Sequence, residues 1–204
     1  MKVITDLTPQ AKNPKRLNLY LDGSYYCGLD ILTAAKYRLK VGASVEEGEI
    51  IAIQREAEYR KAFDYALKVL SNSMKTEKEV KDKLSARGYL DEIVFEVIAK
   101  VKEYGFISDS EYAKKYAAAY ASKKGKNLIK TELKRKGVSD DDIAAALSEK
   151  DETDACELLA EKYFKNKEKS YETAVKCYRC LVSKGFDFEA AKAAAFKQIK
   201  DEEF

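Results

Sequence analysis

A glycine recurs at a nearly constant interval along the chain, and this repeat constrains the fold more than any other feature of the sequence. Three leucines each stand four residues before a glycine: Leu84 and Gly88, Leu133 and Gly137, Leu181 and Gly185. The glycines lie 49 and 48 residues apart. Each phrase predicts an apolar helix that ends at a glycine in the left-handed conformation. A period of this length is typical of helical repeats, in which neighbouring units complete each other's cores.

Helix-start signals divide each repeat into three helices. Ser, Thr or Asp precedes an apolar helical pattern at Thr76, Ser108, Ser139 and Asp154, and such side chains cap helix N-termini. With two prolines and nine glycines among 204 residues, the composition also favours helices over loops. We therefore predict a mainly α protein whose three-helix units stack into an elongated, curved array. The predicted units are residues 61–108, 109–153 and 154–204.

Residues 1–60 follow a different pattern and are predicted to form a small β cap with a helical linker. Every second residue from Leu17 to Leu21 is apolar, and Asp22-Gly23 leads from there into a second short run that ends at Leu29. Asp-Gly between two such runs predicts a two-residue β-hairpin. Residues 3–7 are a candidate third strand, since an isolated hairpin is marginal in water.

The linker after the hairpin is predicted to be helical. Asp30 is a candidate N-cap for a helix through Leu39, and Ser44 to Glu47 has the spacing of a capping box before a longer helical run. This run is expected to lead into the first repeat.

Neither catalysis nor a metal site is expected. The chain has no histidine, which removes the usual general base, the Ser-His and Cys-His nucleophile systems and the commonest metal ligand. It also lacks a Walker loop and a dinucleotide-binding fingerprint. Of its four cysteines, only Cys177 and Cys180 have a chemical spacing, and we interpret them as thiols on one helix face rather than as a zinc or redox site. A protein without enzymatic activity, cofactor or metal is predicted.

The chain shows no signal for secretion or membrane insertion. Its first ten residues lack a basic start followed by an apolar run, and no stretch approaches the roughly 18 apolar residues of a membrane span. A cytoplasmic protein is therefore expected.

The middle repeat is basic. Residues 109–150 carry ten cations and seven acids, a net charge of +3, whereas residues 151–204 have a net charge of −2. Nine cations and one acid, Glu132, lie between positions 114 and 136. We predict that these cations contact nucleic acid or an acidic protein surface. They are Lys114, Lys115, Lys123, Lys124, Lys126, Lys130, Lys134, Arg135 and Lys136.

Three of these lysines are predicted to form a stripe on one helix face. Lys126, Lys130 and Lys134 are four residues apart, while Ile129 and Leu133 form the adjacent stripe that should pack inward. Like charges stacked in this way cost helix stability, which favours a negatively charged partner. A solvated face without a partner is the alternative.

Aromatic residues recur near the first helix of each unit. We favour packing in the core for these rings over a surface that stacks on bases. The residues are Tyr65, Tyr112, Tyr116, Tyr120 and Tyr163.

Several phrases of the first two repeats occur in the order and at the spacings of a known family. Residues 105–116 read Gly-Phe-Ile-Ser-Asp-x-x-Tyr-Ala-x-x-Tyr, and residues 125–138 read Gly-x-x-x-Ile-x-x-Glu-Leu-x-x-Lys-Gly-Val. Residues 76–89 supply the corresponding Thr-x-x-Glu-Val and Leu-x-x-x-Gly-Tyr of the first repeat. Together they resemble the RecX family over residues 1 to about 150.

The resemblance implies a regulator rather than an enzyme. RecX-like proteins bind the RecA filament on single-stranded DNA and alter its ATPase activity, strand exchange and growth in recombination and DNA repair. The resemblance thus implies RecA and single-stranded DNA as partners, and we expect inhibition and a monomeric state. The alternative is an autonomous nucleic-acid-binding helical protein, which would bind naked strands tightly without the recombinase.

Overall fold

The computed structural model describes residues 1–148 and 151–200. Only the backbone of residue 200 is described. Residues 149–150 of the second predicted unit and 201–204 of the third lie outside the described residues. The described chain forms two compact units, one comprising Met1–Val69 and Lys83–Val101, the other Leu70–Asp82 and Lys102–Phe204. It contains the elements β1 Lys2–Gln10, β2 Asn13–Leu21, β3 Ser24–Asp30, α1 Ile31–Lys36, β4 Ser44–Val45, α2 Glu47–Asn72, α3 Glu77–Ser85, α4 Asp91–Glu103, α5 Asp109–Tyr120, α6 Lys126–Arg135, α7 Asp140–Leu147, α8 Thr153–Phe164, α9 Tyr171–Ser183 and α10 Phe188–Lys200.

The N-terminal strands form an antiparallel sheet in the order β3-β2-β1-β4. Asp22 and Gly23 both have positive φ, 49° and 83°, which is the conformation of a two-residue hairpin turn whose twist matches its strands. The predicted hairpin and third strand are therefore confirmed. One face of the sheet buries Ile4 and Leu19 in a cluster with Ile50 of α2.

The linker differs from its prediction at two points. Ser44 does not open a capping box, because it pairs with Val3 as part of the short strand β4, and α2 begins three residues later at Glu47. Helix α1 ends at Lys36 rather than at the predicted Leu39. The side chain of Asp30 does not cap α1 and instead forms an ion pair with Lys61 at 2.6 Å.

Most predicted helix starts are confirmed by their hydrogen bonds. The Thr76 hydroxyl accepts from the Glu79 amide at 3.2 Å, and Ser108 and Ser139 cap α5 and α7 in the same manner. Asp154 is not the cap that was predicted. Helix α8 begins at Thr153, whose amide donates to the carboxylate of Asp151.

The glycine repeat is built as predicted. Gly88, Gly137 and Gly185 have φ values of 84°, 88° and 85°, and the leucine four residues before each glycine is buried. In the second repeat, Ile129 and Leu133 of α6 pack in a cluster with residues of α5 and α7. The prediction of a mainly α fold with tandem three-helix units is confirmed.

A recurring joint connects the second helix of one repeat to the second helix of the next. At the start of α3, the Thr76 hydroxyl donates to the carbonyl of Lys136 at 2.7 Å, and the Glu77 amide donates to the Asp109 carboxylate at 2.9 Å. A Cβ at Gly137 would lie 2.6 Å from the Cβ of Lys78. The N-terminus of α3 therefore packs against the glycine turn that ends α6.

The same joint is formed 49 residues later, where α6 meets the turn that ends α9. The amides of Gly125 and Lys126 donate to the carbonyl of Lys184 at 2.9 Å and to the carboxylate of Glu152 at 2.7 Å. A Cβ at Gly125 would lie 2.2 Å from the Gly185 carbonyl oxygen. Thr76 and Gly125 thus hold equivalent positions, as do Asp109 and Glu152. This second joint fixes the N-terminal end of the basic helix.

Candidate nucleic-acid interface

Helix α6 presents the basic sequence on a well-anchored scaffold. Its first turn contains no acidic side chain. The amides at its start donate instead to backbone carbonyls of the turn that ends α9 and to the Glu152 carboxylate. Ile129 and Leu133 are buried on the inner face. The opposite face is therefore free to carry charge.

The predicted lysine stripe lies on this outer face, although its members differ in environment. Lys130 is exposed and Lys126 is half-buried. Lys134 is exposed and lies 2.7 Å from Asp140. Because both partners of that pair are exposed to water, the pair contributes little to stability and its atoms stay accessible to other ligands.

Two of the predicted contact lysines are instead held in half-buried ion pairs. Lys124 lies 2.7 Å from the Glu132 carboxylate and over the ring of Tyr120, 4.1 Å from its centroid. Its hydrogen bond with Glu132 raises the pKa of Lys124, while burial opposes that shift. Lys136 lies 2.6 Å from Glu79, and this hydrogen bond raises the pKa of Lys136. The charges of these two lysines are thus compensated within the protein.

The remaining predicted cations are exposed. Lys114 lies 3.3 Å from Glu111, one turn away on α5. Lys115, Lys123 and Arg135 form no side-chain ion pair in the part of the chain that the structure describes, and neither do Lys126 and Lys130 of the stripe. Five of the nine predicted cations therefore form no ion pair among the described residues. We call these five the α6 cation set, after the helix that carries three of them; Lys115 lies on α5 and Lys123 between α5 and α6.

The tyrosines of the second repeat pack together beside this surface. Tyr112, Tyr116 and Tyr120 form a row with ring centroids 5.9 and 4.6 Å apart, and all three rest against the core of the second repeat. The Tyr116 hydroxyl donates to Glu132 at 2.8 Å. Burial and this hydrogen bond raise the pKa of Tyr116. The three half-buried rings thus support the Lys124 and Glu132 pair and pack against the core, the role expected from the sequence.

Sequence reasoning did not identify the two acids that hold the N-termini of α3 and α6 in place. Asp109 accepts from the first amide of α3, and Glu152 accepts from the first amide of α6. Glu152 also accepts from the Asp187 amide at 2.9 Å. An acid at a helix start resembles a simple capping residue in the sequence. The constant spacing of the glycines was the signal that could have suggested a repeated joint.

Three further properties of the described residues concern metal-binding clusters, the state of the cysteines and membrane-spanning helices. Across residues 1–148 and 151–200, no cluster of three or more Cys, Asp or Glu side chains is arranged to bind a metal ion. All four cysteines are free thiols, and Cys180 alone among them is not buried. Within the same residues, no helix combines the length and apolar character needed to cross a membrane.

Three family models match separate parts of the chain. Residues 2–46 match the N-terminal domain of regulatory protein RecX. Residues 62–100 match the first three-helix domain of RecX, and residues 108–147 match the second. Helix α6 and the whole α6 cation set fall within the last of these matches.

Proteins named regulatory protein RecX are similar over nearly the whole chain. The protein of Clostridium tetani is 36% identical over 203 residues, which cover 96% of this chain and 94% of that relative. The protein of Bacillus subtilis is 33% identical over 201 residues, which cover 95% of this chain and 76% of that relative.

Two solved structures have the same fold. A crystal structure of regulatory protein RecX superimposes with a TM-score of 0.68 and 28% identity, covering 99% of this chain and 100% of that one. The structure of RecX from Lactobacillus salivarius has a TM-score of 0.64 and 27% identity, covering 70% of this chain and 97% of that one.

Proposed function

The chain belongs to the RecX family of regulatory proteins, and we propose that it binds the RecA filament on single-stranded DNA. In this proposal it modulates the ATPase activity, strand exchange and growth of the filament, and inhibition is the expected direction. The protein acts as a monomer and performs no reaction of its own.

The α6 cation set is the observation that carries the contact with DNA. These five side chains have no ion-pair partner among the described residues, and two of them, Lys126 and Lys130, repel each other one turn apart on α6. A phosphate backbone removes that repulsion, and lysines that neutralise phosphates gain free energy from counterion release. Lys124 and Lys136 contribute indirectly, because their ion pairs hold α5, α6 and α3 together.

Charge reversal within the cation set tests this proposal. The variant Lys115→Glu, Lys130→Glu, Arg135→Glu leaves untouched Lys126, whose amide lies against Glu152, and Lys134, which faces Asp140. We expect much weaker binding to RecA filaments and a smaller effect on their ATPase activity. The log-log dependence of binding on salt should flatten by about 0.7 for each single-strand phosphate contact removed.

A matched control changes the net charge by the same amount elsewhere. Lys12, Lys40 and Lys192 are exposed and lie outside the second repeat, so their reversal to glutamate should have a smaller effect. If the cation-set variant has the parent's circular dichroism and modulates RecA as the parent does at every salt concentration, the outer face of α6 is a solvated surface only.

The alternative function is autonomous binding of nucleic acid. The same cations favour it, because they can bind the phosphates of a naked strand without a recombinase. Binding to naked single-stranded DNA separates the two functions. A filament modulator should bind naked strands more weakly than it binds the RecA filament. Equal or tighter binding to naked strands, with no change in RecA ATPase activity, would favour the autonomous binder.

A further inference from the structure

We propose that a groove beside α8 binds an acidic segment of the protein partner through an apolar anchor. This inference rests on the proposed function, because it takes RecA as that partner. It assigns contact with protein to α8 and contact with phosphate to the α6 cation set, and Lys123 belongs to both surfaces. We call this surface the α8 groove and define it by Leu158, Leu159, Lys123, Lys162 and Lys165.

The α8 groove is an open concavity of about 590 Å³ that Leu158 and Leu159 help to line. Leu158 is 63% exposed, whereas Leu159 is half-buried against the core of the third repeat. The inward face of α8 is formed by Cys156, Ala160 and Phe164, all of which are buried. Leu158 lies off that face, so the fold does not use its side chain.

Three lysines line the groove together with this exposed leucine. Lys123, Lys162 and Lys165 line the groove, and none of them forms an ion pair within residues 1–148 and 151–200. Glu161 is the acidic residue of the described lining. A single exposed leucine is ordinary on a protein surface. A leucine in a concave site beside three such lysines instead complements an apolar side chain flanked by carboxylates.

The α8 groove and the α6 surface differ in the chemistry that they offer. The α6 cation set combines charge with no exposed large apolar side chain between residues 114 and 136, which suits a phosphate backbone. At the α8 groove, the leucines would have no apolar group to bury against along that backbone. Recognition of single strands by stacking depends on aromatic rings, and the groove lining contains none. A protein segment can offer an apolar side chain to the leucines and carboxylates to the lysines.

A groove variant tests the assignment. Leu158→Gln, Lys162→Glu, Lys165→Glu removes the anchor and reverses two charges, while the buried face of α8 is unchanged. We expect binding to RecA filaments assembled on single-stranded DNA to weaken by about tenfold or more, the effect of losing an interface anchor. Binding to naked single-stranded DNA should be unchanged. The cation-set variant should instead weaken binding to both.

The control combines Leu90→Gln with Lys12→Glu and Lys40→Glu. Leu90 is also 63% exposed, so this control repeats the chemical change outside the third repeat and should bind filaments as the parent does. If the triple groove variant does not fold, Leu158→Gln alone replaces it, because glutamine is well tolerated on exposed helix positions.

Photocrosslinking identifies the occupant directly. A benzoylphenylalanine at position 158 should attach to RecA, and one at position 130 should attach to DNA. Attachment of position 158 to DNA or within this chain would overturn the assignment, and so would normal filament binding by the groove variant. A parent protein that does not bind filaments would refute the proposed function and the groove's partner together. Loss of filament binding in the cation-set variant alone would refute only the groove.

Discussion

The ammonium group of Lys136 lies 2.6 Å from the carboxylate of Glu79, across the joint between α6 and α3. Their side chains are 24% and 26% exposed, so water screens the pair only partly. Burial alone raises the pKa of Glu79, but hydrogen bonds from Lys136 and the Thr76 amide outweigh it and leave the pKa below its ordinary value. The ionised pair is therefore expected to stabilise the fold.

Replacing Lys136 with methionine should lower the free energy of unfolding by about 1–3 kcal/mol at pH 7, because a half-buried carboxylate loses its partner. Since the folded state depresses the pKa of Glu79, this contribution is complete above the ordinary glutamate pKa of about 4.3 and is lost as pH falls below it. Urea unfolding of parent and variant at neutral and acid pH measures the difference. Lys130→Met, at an exposed position, is the control and should change stability by less than about 0.5 kcal/mol.

Asp109 is expected to act as a hydrogen-bond acceptor whose charge opposes folding. Burial raises its pKa, and so do Glu77 and Asp142, while the Glu77 amide and Lys102 oppose the shift. Asp109→Asn keeps a carbonyl oxygen for the Glu77 amide and should be about as stable as the parent at pH 7. Asp109→Ala leaves that amide without its acceptor and should cost about 1–2 kcal/mol.

The pH dependence of these two variants provides a second readout. A carboxyl whose folded pKa is raised destabilises the fold fully above that pKa; the effect declines as pH falls through it and is absent below the ordinary aspartate pKa of about 3.9. Asp109→Asn should remove this component from the parent's profile of unfolding free energy against pH. Equal losses of stability in the Asn and Ala variants at neutral pH would show that the charge itself is needed.

Gly125→Ala should disrupt the second joint. The new Cβ would lie 2.2 Å from both the Gly185 carbonyl oxygen and the Phe186 amide nitrogen, and backbone atoms cannot move aside as a flexible side chain can. We expect a loss of more than about 2 kcal/mol in unfolding free energy, comparable to other overpacked sites. Gly48→Ala on α2 meets nothing within 4 Å and should instead stabilise by about 0.5–1 kcal/mol. Similar effects in both variants would argue against close packing at the joint.

The thiols should differ in reactivity. Burial raises the pKa of Cys27, and it raises the pKa values of Cys156 and Cys177 to about 11. Because the thiolate is the reactive form, these three should react slowly with a thiol reagent at pH 8 in the native protein. Cys180 should react first, and all four should react in denaturant.

Changing Cys177 and Cys180 together to alanine should leave RecA modulation intact once any loss of stability is allowed for, whereas stoichiometric bound zinc would contradict this view.

The features that sequence predicted correctly depend on single residues with distinctive backbone preferences. Asp22-Gly23 specifies its hairpin turn, and Gly137 ends its helix, because few other residues adopt positive φ. The leucine four residues earlier then fixes which helix face is buried. Such local signals recur at each repeat, so helix order could be predicted without knowledge of distant contacts.

The charged groups were less predictable because their environment depends on residues distant in sequence. Lys123 and Lys124 are neighbours, yet the first is exposed and the second pairs with Glu132 and lies over the Tyr120 ring. Lys136 is paired with a carboxylate 57 residues away. Counting charges along the sequence therefore located the basic helix but could not separate exposed lysines from those held in half-buried ion pairs.

The recurring joint allows the surface charge of each repeat to vary independently of how the repeats pack. Each joint requires a glycine turn, a carbonyl and one carboxylate, and it places few demands on the outward-facing side chains of either repeat. Successive repeats could therefore accumulate opposite charges, as the net +3 of residues 109–150 and the net −2 of residues 151–204 illustrate. Repeated units connected in this manner can present different surfaces to ligands without a change in how they are assembled.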